Sequence, residues 1–374
     1  MGNVPIPLKL FGVQVSPRLE QVTRRADEVR TPGEPIPGVE RLAVVRHDRL
    51  GDFVLTLPAI DALRRTYSEA RLALVVAPWI RALAERVEGV DRVLETGPDS
   101  GGLGEHLAEF GADLIVCISR GAPFALSAAR AGVRHRVGTG LRFYSPLFTR
   151  RVDERRRAGG RHELEYALSY AHRAGATVGP ARFPLGLDPA ADEKVRTWLA
   201  AHEIGDRFVV IHPGSGGSCP RWPLEHFRTL VERLLTDRVD LVLSVGPSDD
   251  EVADAVSTGA TRVGRLPVFS GSLPEIQALT KRAALVVSNS TGPIHLAAAQ
   301  ATPTLAIHAP WPSCGISRWG PYDERGWGLV ADAPGATEWT RTERRRNAGA
   351  LMAGISPEFV LRCTHAILEG RAPT

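Results

Sequence analysis

From residue 41 onward the chain alternates short apolar runs with amphipathic stretches of helical length, and that rhythm admits few architectures. Apolar runs at 42–46, 72–76, 92–94, 114–118 and 134–137 read as strands, with helical patterns at 54–66, 80–87, 103–110 and 124–131 between them. Strands alternating with helices of that length imply βαβ units and a parallel sheet. The rhythm breaks in a stretch at 178–189 that contains proline and glycine, between helical patterns at 163–173 and 191–202. It restarts with strands at 208–211, 241–245, 285–287 and 304–307 and helices at 224–235, 249–256, 273–281 and 292–300. A last helix at 357–368 follows Ser356, a good N-cap. The expected organisation is an extension at 1–38 with one short helix near 17–29, two α/β domains at 39–190 and 191–350, and a helix and tail at 351–374. Ligands of open parallel sheets sit beyond the carboxyl ends of the strands, so two such sheets place the natural site in a cleft where those ends meet.

Composition narrows the class. At 374 residues the chain is long enough for two cores, and its 43% hydrophobic and 24% charged content is that of a soluble globular protein. No run of about 18 apolar residues is present to cross a membrane. The first residues lack the pattern of a secretory leader. The four cysteines, Cys117, Cys219, Cys314 and Cys363, form no CxxC pair and fit a reducing cytoplasm better than a disulfide framework or a zinc site. The net charge is +4, but ten arginines face two acids between Arg130 and Arg161. Such a cluster suits an anionic or phosphate-bearing surface, and equally a solvated loop. Arg344-Arg345-Arg346 is open to the same two readings. No aromatic-basic module or helix-turn-helix accompanies the charge, which argues against nucleic acid.

The loops that end the strands carry the polar chemistry. After 285–287 the chain reads Ser290-Thr291-Gly292-Pro293-Ile294-His295 and enters a helix. A strand-to-helix turn of this kind aims backbone N–H groups and a positive dipole end at solvent, a place to hold phosphate. Gly292 lets a ligand approach the backbone, and Pro293 suits the first helical turn. The strand at 208–211 runs into His212-Pro213-Gly214-Ser215-Gly216-Gly217-Ser218-Cys219-Pro220-Arg221, where Ser215, Gly216 and Ser218 can wrap phosphates and Arg221 can add a charged contact. Asp249 and Glu251, after the strand at 241–245, are placed to bind ribose hydroxyls or to cap a helix. In the first half, His47-Asp48-Arg49-Leu50-Gly51-Asp52 follows a strand. Gly51 allows close backbone approach, and Asp52 is either a helix-start carboxylate or a general base. His295 is either structural or ligand-binding. No Walker A loop, Rossmann glycine fingerprint, nucleophile elbow or zinc motif is present.

The ordered set of these segments over about 41–330 resembles glycosyltransferase family 9, whose best-known members are the lipopolysaccharide heptosyltransferases. The pieces are Arg46-x-x-Arg49-Leu50-Gly51-Asp52 with Thr56-Leu57-Pro58-Ala59, His162-Glu163, His212-Pro213-Gly214-Ser215 with Arg221-Trp222-Pro223, Gly246-Pro247 with acids, Asn289–Ala299 with Thr302-Pro303, and Trp319-Gly320-Pro321. The resemblance implies a GT-B-like fold, two Rossmann-like domains with parallel sheets on a central cleft. It implies a nucleotide-diphosphate sugar bound by the C-terminal domain and a glycan or glycolipid acceptor by the N-terminal one. It also implies inverting transfer without a metal or cofactor, with Asp52 as general base. The enzyme would be cytoplasmic, with Arg130–Arg161 as a candidate face for the acceptor or for peripheral contact with the inner face of the membrane. Two positions depart from the family pattern. Ser290 stands where an aspartate is usual, and Pro220 where a lysine often precedes the Arg-Trp pair. These departures leave a non-catalytic nucleotide-sugar-binding protein as an alternative, and an epimerase or hydrolase of similar architecture as another.

Overall fold

Strands such as Arg41–Val45, Leu114–Cys117, Phe208–His212, Leu285–Asn289 and Thr304–His308 are buried along nearly their whole length because helices cover both faces of their sheets. The computed structural model describes residues 13–16, 33–154, 160–217, 219–247, 249–333, 335–336 and 338–373. In chain order its strands are β1 (Val13–Ser16), β2 (Arg41–Val45), β3 (Arg71–Val76), β4 (Arg92–Glu95), β5 (Leu114–Cys117), β6 (His135–Thr139), β7 (Arg150–Val152), β8 (Phe208–His212), β9 (Asp240–Val245), β10 (Val268–Ser270), β11 (Leu285–Asn289), β12 (Thr304–His308) and β13 (Gly326–Ala331). The chain divides into a unit of residues 21–188 and a unit of 189–374 that also takes β1. The helix expected near 17–29 lies outside the described residues.

The first unit holds a six-stranded sheet in the order β4-β3-β2-β5-β6-β7, parallel throughout. One apolar cluster, with Val45, Leu107, Phe110, Ile115, Phe124 and Phe148, fills one side of it. The second unit holds a seven-stranded sheet in the order β1-β13-β12-β11-β8-β9-β10. All its pairs are parallel except β1 with β13, where Val13 pairs Ala331 and Ser16 pairs Gly328. Its core includes Trp222, Phe227, Leu243, Val287, Leu329 and Val360. Both sheets are doubly wound α/β structures. The strand order reverses between β2 and β5 in the first unit and between β8 and β11 in the second. Such reversals open a crevice at the carboxyl ends of the two strands, where ligands of this fold class bind.

Several elements differ from the sequence expectation. The helix expected at 54–66 is two helices, Leu50–Val54 and Leu57–Thr66. Pro58 sits in the first turn of the second, so it has no N–H to extend the first. At 80–87 the chain makes a short 3₁₀ turn at Pro78–Ile80 and then one helical turn at Arg81–Ala84. Strands β1, β7, β10 and β13 and the helix Arg341–Ala353 were not anticipated.

Candidate active site

In the first unit the site grows out of β2. Arg46 follows the last strand residue, and its side chain is only 3% exposed. A buried guanidinium needs partners, and one loop residue and two helix starts supply three carboxylates. Arg46 pairs with Asp52, lies 3.4 Å from Asp48 and lies 3.5 Å from Glu163. Its Nε also donates to the Asp52 carbonyl at 3.2 Å. Glu163 is buried, whereas the Asp52 side chain keeps 20% of its surface open. Ser119, just beyond β5, donates to Asp48 at 2.6 Å and accepts from the His47 N–H at 2.9 Å. The carboxyl ends of β2 and β5 are thereby tied together at the reversal point. Asp52 stands in the first turn of the helix Leu50–Val54, whose N-cap is Arg49, so Asp52 is not the cap. Gly51 is buried, and its carbonyl accepts from Leu55 at 3.0 Å.

Glu163 arrives from the helix Glu163–Arg173, which packs against Leu57–Thr66. The start of that helix is fixed locally. His162 Nδ1 accepts from the Leu164 N–H at 3.2 Å, and Glu165 accepts from the His162 N–H at 3.0 Å. This reciprocal capping holds the first turn, and with it Glu163, in one position.

In the second unit the ends of β8 and β11 are knitted together. Asn289 is fully buried. Its amide donates to the Pro213 carbonyl at 2.8 Å, and its oxygen accepts from the Trp222 N–H at 2.8 Å. Ser288 donates to the His212 carbonyl at 2.6 Å and lies 3.1 Å from the Thr291 hydroxyl. Trp222, wholly buried, donates from its indole to Ile355 at 2.8 Å and anchors the far end of the loop. Thr291 is the N-cap residue of the helix Gly292–Ala299, with Pro293 in its first turn. Ser290 and Thr291 are buried, and the Ser290 N–H donates to Ile307 at 3.0 Å.

The loop after β8 needs its glycines. A Cβ on Gly214 would sit 2.9 Å from an Asp249 oxygen and 3.0 Å from His212 Nε2. Gly216 and Gly217 have φ of +52° and +69°, in the left-handed region. Ser215 accepts from the Gly217 N–H at 3.4 Å, and Arg221 is exposed. Ser218 lies outside the described residues. Asp249 caps the turn after β9 by accepting from the Gly246 N–H at 3.1 Å. Glu251 is exposed on the helix Asp250–Ser257. His295 is nearly buried, its ring centroid 6.2 Å from that of Trp319. Burial drives the His212 imidazole down to about 4, so it is neutral near pH 7. Ser215, Gly216, Asp249, Ser290, Thr291 and Gly292 thus share the carboxyl-end edge of one sheet, while Gly51 and Asp52 share that of the other.

Sequence reasoning named Asp52 and the β8 and β11 loops but gave no role to Arg46, Asp48, Glu163, Ser288 or Asn289. The available signal was an arginine directly continuing an apolar strand. Among the described residues, no group of three or more His, Cys, Asp or Glu is placed to hold a metal ion, and no helix is long and apolar enough to cross a membrane.

A family model described as glycosyltransferase family 9 (heptosyltransferase) matches residues 142–347, more than half of the chain. The chain belongs to glycosyltransferase family 9. This family 9 glycosyltransferase is 24% identical over 302 residues to a putative glycosyltransferase of Haemophilus influenzae, covering 76% of this chain and 87% of the relative. It is 24% identical over 355 residues to lipopolysaccharide heptosyltransferase 3 of Escherichia coli, covering 87% and 97%. Its fold is that of a family 9 glycosyltransferase from Veillonella parvula, with TM-score 0.75, 19% identity and coverage of 88% and 97%. It is also that of the E. coli ADP-heptose LPS heptosyltransferase II, with TM-score 0.72, 20% identity and coverage of 88% and 99%.

Proposed function

We propose that this glycosyltransferase moves a heptose or similar sugar from a nucleotide-diphosphate sugar to a glycan or glycolipid of the cell envelope, with inversion at the anomeric carbon. The observation that carries the reading is Asp52, held against Arg46 at the carboxyl end of β2 with part of its side chain open. In the proposed step an acceptor hydroxyl attacks the anomeric carbon while the bond to the diphosphate breaks. Asp52 takes the hydroxyl proton, so the acceptor oxygen never carries a full positive charge. The departing diphosphate gains negative charge. The backbone N–H groups at the start of Gly292–Ala299, the loop at Ser215–Gly217 and Arg221 would supply positive ends for it without a metal or other cofactor. Asp249 and Glu251 are the candidates for the donor's ribose, and His295 and Ser290 for the donor sugar side. An E. coli heptosyltransferase solved with ADP shares the fold at TM-score 0.65, which favours an adenine nucleotide as the first donor to test. Ser290 lacks the carboxylate the family pattern places near the donor sugar, and Pro220 lacks the cation it places on the diphosphate, so the donor here would differ from ADP-heptose or be turned over more slowly. The enzyme would act from the cytoplasmic face of the membrane.

The test begins with ADP-heptose and common UDP-, GDP- and dTDP-sugars in a thermal-shift panel. A donor at 100 times its Kd adds about 2.7 kcal/mol to stability, which is readily seen. Transfer by Asp52→Asn should then fall by about 10²–10⁴-fold in kcat with donor affinity kept. A variant that turns over at the wild-type rate rules Asp52 out as the base. Failure of every sugar nucleotide to bind rules out the donor site.

A further inference from the structure

We infer that Glu163 is a positioning residue that sets the proton affinity of Asp52 through Arg46. The inference rests on the reading of Asp52 as the general base. Arg46 faces three carboxylates: Asp48 in the loop after β2, Asp52 in the first turn of Leu50–Val54, and Glu163 from a helix distant in sequence. Asp48 is the most open of the three and is shared with Ser119 and His47, whose Nδ1 lies 3.9 Å from it. Glu163 has no comparable access to water, so its charge acts on Arg46 with little screening. The single guanidinium divides its attraction among the three. A strong second claimant loosens its grip on Asp52 and leaves that carboxylate more able to accept a proton. The capped start of Glu163–Arg173 shows that the position of Glu163 is itself built. A negative charge buried only to pack the helix would cost more than it returned unless paired in this way.

Glu163→Gln keeps the volume and removes the charge, and Glu163→Asp keeps the charge. The direct readout is titration of the Asp52 carboxyl by ¹³C NMR in the full chain without substrate, the signal being assigned through Asp52→Asn. In Glu163→Gln the midpoint should fall by about one pH unit, a tenfold loss of proton affinity. In Glu163→Asp it should stay within a few tenths of wild type. With ADP-heptose as donor, Glu163→Gln should lower kcat by about tenfold, leave KM within twofold and move the acid limb of the pH profile the same way. An unmoved Asp52 midpoint in a folded Glu163→Gln protein overturns the inference whatever the activity. If Glu163→Gln does not fold, a fall of about one pH unit in Glu163→Asp, which keeps the charge, overturns it as well. Full activity in Asp52→Asn removes the base reading separately, because the titration does not depend on turnover.

Discussion

His212 ends β8 with its ring largely buried beside Gly214, its Nδ1 3.3 Å from the Ser244 hydroxyl. Desolvation dominates over the opposing pull of Asp249 and lowers the imidazole from 6.5 to about 4. The folded state therefore resists a proton that the unfolded chain accepts. Between pH 6.5 and 4 the unfolded chain binds more protons, so stability falls as pH drops through that window and levels off below it. The full difference is on the order of 3 kcal/mol, of which about 2 kcal/mol is already lost at pH 5. His212→Gln cannot titrate. Urea unfolding at pH 7 and pH 5 should show the variant losing about 2 kcal/mol less than wild type between the two. Equal losses would mean that another group carries the pH dependence. None of this was legible in the sequence, where His212 read only as the start of a glycine-rich loop. Burial of the strand end decides its chemistry.

At the scale of elements, the second-unit site depends on how β8 and β11 are cross-linked beyond their last ladder bonds. Asn289 bridges three backbone groups of the 213–222 loop from a position with no exposure. Asn289→Ala would leave the Trp222 N–H and the Pro213 carbonyl buried without that partner, at a cost of about 2–4 kcal/mol. The loop would also lose its fixed path, so donor affinity should fall more than the melting point alone implies. Calorimetric binding of ADP-heptose to the folded variant checks this, and unchanged affinity would show that the bridge serves stability alone. The same region shows what a sequence can reveal. Strands β2, β5, β8, β11 and β12 are buried because both faces are covered, and their apolar stretches stand out as runs. Strands β7 and β10 are three residues long and partly exposed, and β13 is broken by Gly326 and Gly328, so no run marks them. The helix Arg341–Ala353 buries only Leu351 and Met352, too little to leave a periodic stripe. The loop motifs were legible as strand ends rich in small and polar residues. The Arg46–Glu163 and Asn289–Trp222 contacts were not, since each joins segments that only the sheet order brings together.

Charge is the property of the whole molecule that the fold does not explain. The local excess between Arg130 and Arg161 is larger than the net +4 of the chain, so the remaining residues are net acidic. Part of that segment is structural. Arg136 donates to the Leu147 carbonyl at 2.7 Å and the Val133 carbonyl at 2.5 Å, and Arg161 donates to Ser169 at 2.9 Å. Arg155-Arg156-Arg157 lies outside the described residues. Between them the loop after β6 exposes Leu141 by 45% and Phe143 by 88%, flanking the exposed Arg142. An isolated exposed apolar side chain needs no explanation, but two beside an arginine in a basic stretch are what an anionic lipid surface would select. Each basic side chain near such a surface contributes about 1 kcal/mol, and the attraction fades beyond about 8–10 Å at physiological salt. The chain should therefore float with phosphatidylglycerol vesicles and not with neutral phosphatidylcholine vesicles, and about 0.5 M salt should release most of it. Arg142→Glu with Phe143→Ser should weaken vesicle binding about tenfold or more, because both the charge and the apolar anchor are lost. Neither residue belongs to the Arg46–Asp52 network, so transfer to a soluble acceptor should continue at the wild-type rate while transfer to a vesicle-borne glycolipid falls. Equal binding of wild type and variant to anionic vesicles would return the arginines to a solvated surface and leave acceptor capture to other residues.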